Sequence, residues 1–245
     1  MCIVDTNINL MSEEATSQPH LTREDEIDAS RCAIVAVDTV IFTIKNNELC
    51  VLLIKVNHGY FKDSWAIPGG IVDINETLYD TAKNRLEEKT GLKDVYLEQL
   101  YSFGDLGRDP RRRIVSVSYF ALVNGEKAEL NKTERYAAIE WIPIHKIGKL
   151  AYDHNAIINY AILRLQYKME YTNVVYGLMP EKFTLSELQK VYEIILERQL
   201  DKRNFRRKIL SIDLIKEAGN EIGVAHRPSK LYSFKDKKRK IVQIF

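Results

Sequence analysis

Between residues 65 and 92 the sequence changes its period, and that change limits what the chain can fold into. Trp65-Ala66-Ile67-Pro68-Gly69-Gly70 sets a proline and two glycines in a row, which interrupts any regular element. From Thr77 to Thr90 the apolar residues Leu78, Ala82 and Leu86 fall at helical spacing, and Gly91 follows where a helix would end. A loop therefore feeds a single helix. On both sides the sequence reads as strand. Ile34 to Ile44 and Leu49 to Val56 are β-branched, apolar runs joined by Lys45-Asn46-Asn47-Glu48, which predicts a hairpin. Further strands fit Val95 to Phe103 and Ile114 to Leu122, where Val115, Val117 and Tyr119 alternate with Ser116, Ser118 and Phe120. A helix set among strands makes this an α/β fold.

The rest of the chain is organised differently. Asp153 to Met169 carries Ala156, Ile157, Tyr160, Ala161 and Leu163 at helix-compatible spacing, and Tyr176-Gly177-Leu178-Met179-Pro180 then breaks the pattern. Charge divides at that breaker. Residues 176–245 hold 16 Lys+Arg against 9 Asp+Glu, a net +7, whereas the residues before them hold 20 against 25, a net −5. Such a split suits a polyanion-binding module joined to an acidic one, and equally a solvated lysine-rich surface. After the breaker, Thr184 and Glu187 have capping-box spacing ahead of Leu188, Val191, Tyr192 and Ile195. Asp201 can cap a second helix in which Phe205, Ile209 and Ile212 form an inward stripe. Strands at Leu214 to Glu217 and Leu231 to Phe234 complete the order of a winged helix-turn-helix. Residues 1–30 are polar and aperiodic and read as an N-terminal arm, followed by a front domain at 31–152, a connecting helix at 153–175 and a small domain at 176–245.

With 45% hydrophobic and 29% charged residues, disorder throughout is excluded. No apolar run reaches membrane-spanning length and Met1 to Met11 lacks a basic leader, so a cytoplasmic protein with no membrane partner is expected. Cys2, Cys32 and Cys50 have no metal-ligand spacing, and no metal site or cofactor is expected.

Gly70, Glu76, Leu86, Glu88, Gly91 and Leu92 match six of the nine specified positions of the Nudix box, and the region from about Ala33 to Ile147 resembles a Nudix domain. The resemblance implies an α/β/α sandwich with a mixed sheet. In active Nudix hydrolases, glutamates three and four residues apart on the box helix hold divalent cations against a diphosphate. Here the three positions are Arg85, Glu88 and Lys89, and the box arginine is Asn84. One misplaced cation about 4 Å from a divalent ion, at an effective dielectric of about 20, repels it by roughly 8 kcal/mol before it moves away or is screened. Hydrolysis is therefore not expected, and no residue is assigned a catalytic role. The competing reading is a Mg-dependent hydrolase of ADP-ribose or a sugar nucleotide, using Glu76, Glu87 and Glu88 in an altered geometry. Two placements of the altered face are open: a solvated helix surface, or a cleft in which Arg85 and Glu88 contact a ligand. Gly69 and Gly70 read as a tight turn rather than a phosphate cradle.

In the second helix, Lys202 with Arg206 and Arg203 with Arg207 are like charges four residues apart, each pair costing an isolated helix about 0.2 to 0.5 kcal/mol. Phosphates and guanine edges would compensate for them. Arg227 and Lys230 lie at the expected wing tip, which Pro228 would stiffen. A Nudix-like region followed by Phe183-Thr184-Leu185-Ser186-Glu187, by Leu200-Asp201-Lys202-Arg203-Asn204-Phe205-Arg206-Arg207-Lys208 and by Arg227-Pro228-Ser229-Lys230 resembles the Nudix-related transcriptional regulators of NrtR and AraR type. The resemblance implies a homodimer on double-stranded operator DNA, contacted through Lys202, Arg203, Asn204, Arg206, Arg207, Arg227 and Lys230, and a small-molecule effector that weakens binding. Arg85, Glu88, Arg108, Asp109 and Arg113 are the effector candidates. Arg112-Arg113-Ile114 stands where ADP-ribose sensors of this family tend to have Arg-Gly-Trp, which shifts the expected effector toward a pentose or another sugar.

Overall fold

The computed structural model describes residues 32–126, 128, 130, 136–223 and 228–244, so the N-terminal arm, Cys2 and Arg227 lie outside the described residues. The predicted hairpin is present as β1 (Ile34–Lys45) and β2 (Glu48–Val56). Its turn places Asn46 and Asn47 at φ of 52° and 59°, the paired left-handed conformation that tight hairpins require and asparagine tolerates. Short strands β3 (Trp65–Ala66) and β4 (Gly69–Ile71) flank Pro68, and α1 (Leu78–Thr90) follows. Thr77 accepts a hydrogen bond from the Asp80 amide at the start of α1, and Gly91 closes its end at φ 66°. Then come β5 (Tyr96–Phe103), β6 (Ile114–Leu122), β7 (Tyr136–Pro143) and the long α2 (His154–Tyr171).

The seven strands form one mixed sheet. β1 pairs with β6 in parallel from Ile34↔Ile114 to Phe42↔Leu122, and β5 closes the edge beyond β6. β1 and β2 pair only near their turn. Farther along, β1 takes β4 as partner and β2 takes β3, while β7 lines the other edge of β2 from Cys50 to Val56. Side chains of β1 alternate between the two faces: Val37 and Ile41 meet the side of Ala82 and Leu86 from α1, whereas Val40 and Phe42 meet the side of Ile157, Ala161 and Leu165 from α2.

The carboxy-terminal part adds α3 (Leu185–Leu196), α4 (Lys202–Ser211) and the hairpin β8 (Ile215–Asn220) and β9 (Lys230–Phe234). Phe183 exchanges backbone hydrogen bonds with Tyr232 at 2.9 and 2.7 Å, a single bridge that joins the start of α3 to the hairpin. The core does not stop between the two parts. One hydrophobic cluster runs from Val40, Phe42 and Phe120 through Leu165 and Met169 to Phe183, Tyr192 and Phe205. Beyond the hairpin the chain turns back. Arg239 pairs with Glu98 of β5 at 2.7 Å, which also holds buried Lys168 of α2 at 2.8 Å, and Ile244 is buried beside the end of α2. Cys50 is a buried free thiol. Among the described residues no helix is long and apolar enough to cross a membrane.

Candidate effector cleft and nucleic-acid interface

Two charged clusters lie on opposite faces of β4, and Gly69-Gly70 makes room for both. A Cβ on Gly69 would sit 2.3 Å from Asp38 Oδ1, and one on Gly70 would sit 3.2 Å from Arg85 Nε. Neither glycine has a positive φ among the described residues, so close approach, rather than the tight turn expected from the sequence, explains them. The loops at 72–77 and 104–113 leave the sheet at the same end, because Ile71, Ile34, Ile114 and Phe103 are neighbours in strand register there. Arg85 and the exposed Arg112 and Arg113 give this end positive charge.

On the α1 face, Arg85 Nη1 lies 3.3 Å from Glu88 Oε2 and Lys89 Nζ lies 2.5 Å from Glu88 Oε1. Lys89 is buried, with its ammonium 4.3 Å from the centre of the Tyr136 ring. Burial alone would raise the Glu88 pKa, but Lys89 and Arg85 outweigh it and hold the carboxylate below its usual range. Glu76 accepts hydrogen bonds from Thr81 Oγ1 and Asn84 Nδ2, both at 2.9 Å, and Glu87 pairs with Lys83 at 3.7 Å. Each box carboxylate thus has a protein partner, two of them cationic. This donor set does not fit a divalent cation, and among the described residues no group of three or more His, Cys, Asp or Glu side chains could hold one. Of the altered positions Asn84 is exposed, but Lys89 points inward and Arg85 is only 29% exposed.

The second cluster was not identified from the sequence. Arg108, expected to contact ligand, is instead buried and bonded to the protein itself. Its Nε and Nη2 reach the two Asp153 oxygens at 3.0 and 2.8 Å, and Nη2 also reaches Asp38 Oδ2 at 3.1 Å. Asp109 pairs with Arg111. Its buried carboxylate takes two hydrogen bonds from the Arg111 guanidinium, at 3.1 and 2.9 Å, and one from the Arg111 amide. Both side chains are buried and engaged in internal ion pairs, Arg108 with Asp38 and Asp153, and Asp109 with Arg111. Ser116 Oγ donates to Asp38 at 2.6 Å, and His154 Nε2 faces Asp38 at 3.6 Å while its Nδ1 accepts from the Ile67 amide at 3.1 Å. The histidine proton therefore sits on Nε2, toward the carboxylate. Burial works to raise the Asp38 pKa, but His154, Ser116 and Arg108 outweigh it and hold the acid at about 2. One sequence signal was present: a charged residue inside the apolar run of β1, on the buried side. Arg113 closes its own loop, donating to the Gly104 carbonyl at 2.5 Å.

The network also ties the loop at 104–113 to α2. Asp153 sits at the N-cap of α2 without capping it, its carboxylate being turned to Arg108. The helix then runs to Tyr171 and packs on α3 through the shared core.

In the carboxy-terminal part, the predicted caps are both present. Thr184 and Glu187 form the reciprocal capping box of α3, and Asp201 Oδ1 accepts from the Asn204 amide at 2.8 Å to start α4. Phe205 and Ile209 are buried and Ile212 is half-buried, with Phe205 packed 5.4 Å from the Tyr192 ring. That anchoring turns Lys202, Arg203, Asn204 and Arg207 outward, all exposed. Arg207 donates to Asn204 Oδ1 at 2.8 Å, and Arg206 folds back to Ser186 Oγ at 3.2 Å with its Nε buried. Among the described residues these four cations make no ion pair. Two of them occupy the first turn of α4, where the helix dipole is already positive and acidic residues are the stabilising choice. A helix end built this way is suited to an external anion. Lys230 on β9 pairs with Glu217 at 2.6 Å, and Arg227 lies outside the described residues.

Comparison with known proteins agrees with both halves. Residues 34–164 match the NUDIX domain, and residues 175–234 match the NrtR DNA-binding winged helix domain. The chain is 39% identical over 205 residues to the ADPR responsive transcriptional repressor NtrR of Acinetobacter baylyi, covering 82% of each protein. The crystal structure of Shewanella oneidensis NrtR complexed with a 27mer DNA aligns with a TM-score of 0.75 at 33% identity, covering 82% of this chain and 93% of that one. The NUDIX domain of the same NrtR complexed with ADP ribose aligns at 0.52 and 31% identity, over 58% of this chain and 96% of that one. These relatives bear the name of ADP-ribose, and the expectation of a pentose gains no support from them.

Proposed function

The chain belongs to the NrtR-type family of Nudix-related transcriptional regulators, and we propose that it is a homodimeric, ADP-ribose-responsive repressor with a catalytically silent Nudix domain. The observation that carries the DNA-binding half is the face of α4: exposed, unpaired guanidiniums at the start of a helix whose opposite side is locked into the core. In a winged helix-turn-helix this helix enters the major groove and the β8–β9 hairpin reaches the flanking backbone. Arg203 and Arg207 are assigned to bases or phosphates, Lys202 and Asn204 to the backbone near the helix start, and Lys230 and Arg227 to the wing. Two copies related by a two-fold axis would read two half-sites, as this motif generally does.

The effector half rests on the positive end of the sheet, where Arg85, Arg112 and Arg113 are available to an anionic ligand, and on the ADP ribose complex of the related Nudix domain. Silence follows from Asn84, Arg85 and Lys89, which leave no carboxylate free to ligate magnesium. Ligand at the loop of residues 104–113 would act on Asp153 through Arg108, and hence on α2 and the DNA-binding part packed against it.

Fluorescence anisotropy on duplexes from upstream of the chain's own gene tests this. Binding should weaken steeply with salt, weaken again with ADP-ribose, and be lost in the Arg203→Ala/Arg207→Ala variant. If no duplex binds with salt dependence, or the double variant binds like the parent, the DNA-binding assignment is wrong. Rapid hydrolysis of ADP-ribose in the presence of magnesium would overturn catalytic silence.

A further inference from the structure

Two of the three box-helix positions that carry carboxylates in Nudix hydrolases carry cations here, and one of these cations is buried. The side chain of Lys89 is 1% exposed, and its ammonium is fixed between the Glu88 carboxylate at 2.5 Å and the face of the Tyr136 ring at 4.3 Å. Opposite charge on one side and a π face on another are what a desolvated cation needs to remain charged. The same carboxylate is shared with Arg85 at 3.3 Å, so one negative group faces two positive ones. Arg85 in turn lies over Gly70, within reach of solvent at the mouth formed by the two loops.

We propose that Lys89 is a tethered replacement for the divalent metal, and that the cleft binds its diphosphate ligand without any metal ion, with Arg85 as the side chain that meets the phosphates. The inference rests on the ADP-ribose reading above and goes beyond it by fixing how the charge of that ligand is met. A diphosphate brought to an all-carboxylate box helix needs a cation between the two. On this helix the excess charge at the three box positions is already positive, and the reachable part of it is a guanidinium, whose planar fork matches phosphate oxygens. Lys89 itself is too deeply placed to touch ligand. Its part is to neutralise Glu88, leaving Arg85 available to the phosphates.

The test uses the full chain and has two arms. In calorimetric titrations, ADP-ribose should bind with the same affinity, within about twofold, in excess EDTA and in millimolar MgCl2, and Arg85→Ala should lose about tenfold or more, as expected for a charge-assisted contact. A gain of about tenfold from magnesium, or an Arg85→Ala variant that binds like the parent, overturns the proposal. In the second arm, without nucleotide, electron paramagnetic resonance and thermal melting are read with MnCl2. The parent and Lys89→Met should hold no Mn2+, whereas Arg85→Glu/Lys89→Glu should bind it and melt at a higher temperature in its presence. Mn2+ held by the parent, or a folded double variant indifferent to it, overturns the proposal. If the double variant does not fold, the parent's Mn2+ spectrum decides this arm. If ADP-ribose binds in neither buffer, the ligand reading fails, and the Mn2+ arm still decides whether Lys89 replaces a metal.

Discussion

The helices α1 and α4 are both rich in Lys and Arg, and they use that charge in opposite ways. On α1, Lys83, Arg85 and Lys89 each face a glutamate three, four or one residue away, and Lys89 is buried in its pair. On α4, Lys202, Arg203, Arg206 and Arg207 have no carboxylate partner among the described residues, and three of the four are exposed. Arg108, below the cleft loop, follows the pattern of α1 with two aspartates around it. By count α1 is neutral, since Asp80, Glu87 and Glu88 balance its three cations, whereas α4 carries five cations and no acid. Partnering separates them: the front cations hold the protein together, and the α4 cations are left for something outside it.

That contrast predicts where each substitution should register, and the largest effect belongs to the paired side. Arg108→Met strands Asp38 as a buried anion and removes the partner of half-buried Asp153, and should cost about 3 to 5 kcal/mol in urea unfolding. A loss under about 1 kcal/mol would mean that the front cations are not structural, and the comparison would break. Arg203→Ala should leave folding stability within about 0.5 kcal/mol of the parent while weakening duplex binding by about 1 to 3 kcal/mol, and the logarithmic salt slope should flatten by about 1. Equal damage to stability and binding would place Arg203 with the paired class.

Acid should also act on the front network. Asp38 is held at about 2, below its ordinary 3.8, so the stability it contributes is present above pH about 4 and is lost as pH falls toward 2. The amount is about 2 kcal/mol, and the acid limb of unfolding curves measured from pH 6 downward should be shallower by that much in Asp38→Asn. An unchanged acid limb would remove Asp38 from the account. Thr184→Ala, which deletes the capping box of α3, should cost about 1 kcal/mol and lower operator affinity only in proportion to the unfolded fraction. The smallest effect is expected at the wing. Glu217→Gln frees the solvent-exposed Lys230, so duplex affinity should rise slightly with stability unchanged, and a fall would show that this pair shapes the hairpin.

Much of the architecture was legible because it depends on neighbours in sequence. The β1–β2 hairpin, α1 between Thr77 and Gly91, the two capped helices and the closing hairpin all rest on local turn and cap chemistry, and they lie within a few residues of their expected places. The face of α4 was legible for the same reason, since Phe205 and Ile209 fix which way Arg203 and Arg207 point. The site around Arg108 was not. Its partners Asp38 and Asp153 are 70 and 45 residues away, and the basic loop at 104–113 gave no sign that its first arginine turns inward.

By itself the sequence determined the strand and helix pattern, the loss of carboxylates from the box and the concentration of positive charge toward the chain's end, since each is carried by residues within a few positions of one another. Only the tertiary structure decided which cations are spent inside the protein and which remain exposed. The α1 pairs join residues within four positions of one another, but the pairing of Arg108 with Asp38 and Asp153 and the burial of Lys89 depend on segments that only the fold brings together.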